Sequence, residues 1–207
     1  MAKIGSEEYA TFALALAAAN ADPDASTITL LKDCTFTGDS ISEPLTIEGD
    51  SKTLTMSNGN DYAYINVVGD TAINNLTIKS EVPDGKADVF HVKSKLTMTG
   101  CTVNTNKPEN GIFNITLTGS VAMNSGTLNT PGFITTAGKG LSLKTGDGST
   151  GVNITGGTIR LEKGAFITLL ADSAATTNTF KIQPSESLNW AQNAAAGDVL
   201  LNGSAAT

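Results

Sequence analysis

Apolar and polar positions in this chain recur at a period far longer than a helical turn or a strand's alternation. Thr29, Thr53, Thr77, Thr102, Thr127 and Thr158 stand 24, 24, 25, 25 and 31 residues apart, each followed by an apolar residue. A second series, Ile47, Ile73, Met98, Met123 and Ile154, keeps spacings of 26, 25, 25 and 31. Both series lengthen at the same last interval, which predicts a six-residue insertion at 145–150, reading Thr-Gly-Asp-Gly-Ser-Thr. A fixed period of about 20 to 50 residues marks a solenoid, in which each repeat buries its apolar face against its neighbours.

Inside one period the alternation of apolar and polar residues predicts three short strands separated by turns. In the repeat centred on Met98 they fall at 89–92, 95–99 and 102–105. Leu54, Ile78, Val103, Leu128 and Ile159 then form one inward ladder and the Ile47 to Ile154 series a second. Val67, Val92 and Ile115 contribute to a third with Phe90, Phe113 and Phe166. Gly49, Gly69, Gly119 and Gly156 sit among the turns, where positive φ is often needed. An antiparallel sandwich has no reason to hold one register of identical side chains through the chain, whereas stacked parallel coils do. The expected fold is all-β: a right-handed parallel β-helix, or β-solenoid, of six or seven rungs, its hand following the parallel-crossover rule.

Residues 6–20 read as one helix, with Ser6 as N-cap, Glu7 and Glu8 at the positive end of the dipole, and Tyr9, Phe12, Ala13 and Leu16 as its apolar stripe. The stretch 21–26, containing Pro23, ends it. A bare first rung would expose core and unpaired strand groups, so this helix is the expected N-terminal cap. The division is a helical cap over 1–26 and a β-helix over 27–207, one structural domain overall.

Composition narrows the function classes. Twenty acidic residues against thirteen basic ones give a net charge of −7. With Arg160 the only arginine, that argues against a nucleic-acid or anionic-membrane surface. Cationic partners, metal ions and neutral sugars stay open. No apolar run reaches the roughly 20 residues of a spanning helix, and the Ala-rich stretch 12–19 is too short, and lacks the basic flank, for a signal peptide. If the protein is exported, this chain is expected not to be the whole precursor. Cys34 and Cys101 fall three rungs apart. At about 4.8 Å per rung that is ~14 Å, beyond the reach of a disulfide, so two free thiols are expected, Cys101 as a packing residue.

Two segments carry a family resemblance. The opening Ile4-Gly5, Tyr9-Ala10-Thr11-Phe12, Ala17-Ala18 and Thr27-Ile28-Thr29-Leu30-Leu31-Lys32-Asp33 resembles the helix-then-first-strand cap of bacterial surface proteins with pectin-lyase-like β-helices. Lys181-Ile182-Gln183-Pro184, followed by Gly197-Asp198-Val199-Leu200-Leu201-Asn202-Gly203, resembles the closing segment of their repeat modules. The resemblance touches about a third of the chain and implies architecture and an extracellular, cell-surface setting. It carries no catalytic residue across.

Polysaccharide lyases and hydrolases need acids and bases on one outward face. One outward column reads Leu31, Thr55, Lys79, Asn104, Asn129 and Arg160, the other Thr46, Ala72, Thr97, Ala122 and Asn153. Lys79 and Arg160 lie three rungs apart with no carboxylate in their column, and Asp39, Asp50, Asp70, Asp84 and Asp147 fall in turns. His91, the single histidine, aligns with Asn66 and points outward. Alone it cannot build a zinc site, and Gly146-Asp147-Gly148 lacks the acid spacing of a calcium loop, so no metal or cofactor is expected. Aromatic faces with amide side chains suit sugars, which makes Tyr62, Tyr64, Asn66, His91 and Asn114 the candidate ligand-binding patch. The small residues Thr46, Ala72, Thr97 and Ala122 allow close approach of another subunit and are the candidate oligomer contact. The Thr ladder has only one Thr column, which argues against ordering ice.

The sequence therefore points to a non-catalytic structural or interaction module of an exported bacterial surface protein, a spacer or an adhesin-like element that could bind glycans or another protein. A phage virion protein, as capsid decoration or tail component, is one alternative. A polysaccharide lyase or glycoside hydrolase is the other, resting on scaffold analogy.

Overall fold

A computed structural model of the chain describes residues 1–57, 63–83, 88–107, 110–116 and 118–131, and beyond residue 131 the backbone of eight further strands, with the burial of Leu141 and Val152. The period seen in the sequence winds a parallel β-solenoid of about three turns, with one short helix.

The expected helix does not begin at residue 6, because residues 2–9 form a strand hairpin. β1 (Ala2–Ile4) and β2 (Glu7–Tyr9) form an antiparallel hairpin across Gly5-Ser6, with Gly5 at φ +56°. A two-residue turn with glycine first is strong hairpin chemistry, and it outweighs the helical reading of 6–20. Glu7 and Glu8 therefore lie in β2, away from any helix end. The helix, α1, spans Phe12–Ala21, and its N-cap is Thr11 rather than Ser6: the Thr11 hydroxyl accepts from the Leu14 N–H at 3.2 Å. It stops before Pro23, as expected. Counting the i, i+3, i+4, i+7 stripe from Phe12 gives Phe12, Ala15, Leu16 and Ala19, which are buried, while Ala13 is exposed. The Phe12 ring meets Phe36 edge-on, centroids 5.0 Å apart, and this fixes the buried face.

The coil runs through β3 (Thr27–Leu30), β4 (Cys34–Phe36), β5 (Asp39–Ile41), β6 (Leu45–Met56), β7 (Ile65–Val67), β8 (Thr71–Ser80), β9 (Phe90–Val92), β10 (Lys95–Thr99), β11 (Cys101–Thr105), β12 (Gly111–Ile115), β13 (Ser120–Met123) and β14 (Gly126–Asn129). Each turn has three faces, as β9, β10 and β11 show. The first face stacks β3, the start of β6, the start of β8, β10 and β13, all parallel. The second stacks β4, the ends of β6 and β8, β11 and β14. The third stacks β5, β7, β9 and β12.

One residue makes the corner between the first two faces. In β8 the buried positions Thr71, Ile73, Leu76, Ile78 and Ser80 step by two except across Asn74-Asn75. Asn75, at φ +51°, and Gly100, at φ +65°, both take the left-handed conformation there, which asparagine and glycine tolerate best. The first turn uses three residues at the same corner, with Asp50 and Ser51 at φ +48° and +60°.

The core is a set of axial ladders. Ile28, Ile47, Ile73, Met98 and Met123 line the first face, and Leu54, Ile78, Val103 and Leu128 the second. On the third, Ile41, Val67, Val92 and Ile115 run beside Ile65, Phe90 and Phe113. At the end of the second face the interior turns polar: Ser80, Thr105 and Thr130 are buried, and the hydroxyls of Thr105 and Thr130 bond each other.

Several registers read from the sequence shift at the ends. Thr29 pairs with Glu48 on the first face, so Thr35, not Leu31, precedes Thr55 in the outward column. Ile154 continues the ladder of Leu128 and Asn153 pairs with Thr127, while Leu143 follows Met123 and Ser142 follows Ala122. Thr158, Ile159 and Arg160 belong to the third face. The shared 31-residue interval is thus not one insertion, and 145–150, Gly156 and Phe166 lie outside the described residues. Period-two alternation looks alike on all three faces, so it cannot say to which face a strand belongs.

The glycines also act differently from the expectation. Gly49, Gly69 and Gly119 are not among the positive-φ residues. They are glycine because a neighbouring turn passes too close: a Cβ on Gly49 would lie 2.5 Å from the Asn75 carbonyl oxygen of the next turn, and one on Gly119 would overlap the Val92 carbonyl of the preceding turn. Cys34 stacks on Leu54, and Cys101 lies two residues before Val103, three turns on; both thiols are free. The buried Cys101 thiol donates to the Ile73 carbonyl at 3.2 Å.

Candidate functional site

The third face carries the candidate ligand column. Ile65 and Val67 point inward in β7, which turns Asn66 outward, and the same alternation presents Ser40, His91 and Asn114. Strand pairing sets Ser40, Asn66, His91 and Asn114 in one axial line. The Asn66 amide nitrogen donates to the Ser40 hydroxyl at 2.9 Å. Its carbonyl oxygen is buried and has no hydrogen-bond partner among the described residues. The Tyr64 ring, entering β7, stacks on the His91 imidazole with centroids 4.0 Å apart and planes 18° from parallel. Tyr62 lies outside the described residues.

His91 is half-buried rather than fully exposed. Burial pulls its imidazole below the ordinary value; Asp88 works against this and Lys93 adds to it. At neutral pH the column is uncharged, offering hydroxyl, amide and neutral imidazole groups beside one phenol ring. Such a set can hydrogen-bond hydroxyl-rich ligands and supplies no carboxylate to the same line.

Sequence reading missed two members. Ser40 lies 26 residues before Asn66, inside the period, and that spacing was the available signal. Asn20 comes from α1: its amide nitrogen donates to the Ser40 carbonyl at 2.7 Å, and its oxygen accepts from the Ser42 N–H at 3.0 Å. No sequence signal pointed to it.

The first face brings together the candidate oligomer contact. Thr46, Ala72, Thr97 and Ala122 stand in one outward column. Thr46, Ala72 and Thr97 floor a shallow groove of about 320 Å³ whose rim includes Pro44, Asp70 and Lys95. The Ser94 hydroxyl and Lys95 N–H both donate to the Asp70 carboxylate, which holds its pKa below the ordinary value. On the second face Asp33, Cys34, Thr35, Thr53, Thr55 and Lys79 line a groove of about 270 Å³. Burial raises the Cys34 thiol above its ordinary pKa, so little thiolate forms at neutral pH.

Among the described residues no three His, Cys, Asp or Glu side chains gather as a metal-holding group. No helix among them is long and apolar enough to cross a membrane. The chain matches no protein-family model, no curated protein and no solved structure.

Proposed function

We propose that this chain is a non-catalytic structural and interaction module: a right-handed, pectin-lyase-like β-helix of six or seven rungs, capped at its N-terminal end by α1. Its setting is an exported bacterial cell-surface protein, where it acts as an adhesin-like spacer whose glycan-binding patch draws on Tyr62, Tyr64, Asn66, His91 and Asn114.

The observation that carries this reading is how the outward polar side chains are used. The Asn74 amide donates to Glu48 at 2.7 Å, the Asn124 amide to Thr99 at 3.1 Å and the Asn66 amide to Ser40 at 2.9 Å. Each bond joins one turn to the next. Side chains bonded along the axis stiffen the coil and are held in place, which suits a rod that presents a fixed surface.

The test is a glycan-array screen of the purified chain, with release of unsaturated or reducing sugar followed on every polysaccharide that binds. The expected result is binding without turnover, lost in Tyr64→Ala and in His91→Ala. Sugar release would overturn the non-catalytic reading, and binding untouched by both substitutions would remove the column as the site.

A further inference from the structure

A strand at the end of a stack presents unpaired N–H and C=O groups, a ready template for another chain. At the N-terminal end of this solenoid three strands stand in that position, and each is closed differently. On the first face β1 pairs with β3, and β2 then pairs with β1, so the outermost strand is three residues long and carries the exposed Glu7 and Glu8. On the second face α1 packs over β4 through the contact of Phe12 with Phe36. The third face ends at β5, which pairs with β7 on one side only.

On the other side of β5 the Asp39 carboxylate accepts from its neighbour's N–H, on Ser40, at 2.7 Å, and among the described residues the one side chain from another element that hydrogen-bonds this edge is Asn20. In a parallel ladder, one residue of the added strand accepts from the N–H of residue i+1 and donates to the C=O of residue i−1. The Asn20 amide makes that pair of bonds around Ile41, donating to the Ser40 carbonyl at 2.7 Å and accepting from the Ser42 N–H at 3.0 Å. Asn20 is half-buried on the last turn of α1, whose face Phe12, Ala15, Leu16 and Ala19 is packed into the core. The amide is therefore held in position by the helix rather than by β5 itself.

We propose that Asn20 is an edge plug: its amide replaces the next strand on β5 and closes the third face against strand addition by a second copy of this chain. The apolar side chains flanking the plug give the edge its hazard. Ile41 is fully buried and heads the inward ladder continued by Val67 and Val92, so a strand added to β5 gains both ladder bonds and a place on that apolar column. This inference rests on the architecture alone and stands whether or not the glycan-binding reading holds.

The test uses the full chain and follows association by light scattering and thioflavin-T fluorescence. Asn20→Leu keeps the side chain's size and removes both bonds. Val103→Ala, in the buried second-face ladder, serves as a control for lost stability remote from β5. The expected result is that Asn20→Leu associates roughly tenfold faster than the native chain, about the factor for one net hydrogen bond, and faster than Val103→Ala at matched stability. Adding Ser42→Pro, which deletes the edge N–H, should slow association again. If Asn20→Leu does not fold, Asn20→Asp, which retains only the acceptor, takes its place. Association no faster than in the native chain, or no faster than in the equally destabilised control, would overturn the proposal.

Discussion

His91 sits between two kinds of neighbour. Its strand turns it outward, yet Tyr64 covers it and burial disfavours its charged form. The imidazole's folded pKa thus lies below its ordinary value of 6.5. As pH falls through that ordinary value, the unfolded chain takes up a proton that the folded chain resists, so folding stability declines from near neutrality downward and levels off below the folded pKa. His91 is the only histidine, so one imidazole signal in an NMR titration reports the site. A midpoint below 6.5 is expected. His91→Gln should remove the decline in stability across the same window; an unchanged decline would assign it to other groups.

At the scale of elements, α1 is short, carries no acidic residue in its first turn and no basic residue in its last, and so depends on its cap and its buried face. Helices of this length are marginal alone. Thr11→Ala deletes the hydroxyl that accepts from Leu14 and should cost about 1 kcal/mol in urea unfolding. Ser6→Ala should cost far less, since Ser6 lies in the hairpin turn and not at the helix start. Equal losses in the two variants would restore the longer helix. The one-residue corners show the same economy. Asn75 and Gly100 turn the strand without a loop, so the two faces share one continuous strand in β8 and stay in register.

For the whole molecule, the parallel stack makes stability a nearest-neighbour property. Ile78 is fully buried on the second face, where Leu54 and Val103 are its ladder partners. Ile78→Ala should lower stability by about 2 to 5 kcal/mol. Hydrogen exchange should then show protection lost most in β6, β8 and β11 and least in β1 and β2. A uniform loss through all strands would mean that the coil opens as a single unit.

By itself the sequence determined the parallel stack, its period and the facing of most described strands. Ile47, Ile73, Met98 and Met123 do line one ladder, Val67, Val92 and Ile115 another, and Asn66, His91 and Asn114 share one outward column. Identical side chains repeat at one height per turn only if the turns are stacked, so the period is written directly in the residues. Tertiary structure decided which face each terminal strand joins, as with Thr29, Ile154 and Arg160, because alternation repeats identically on every face. It also decided the glycines at 49, 69 and 119, where the crowding atom belongs to another turn, and the plug at Asn20, whose partners Ser40 and Ser42 lie 20 and 22 residues away. A local pattern registers what a residue does to its own strand; it carries no trace of what a neighbouring turn or a docked helix brings against it.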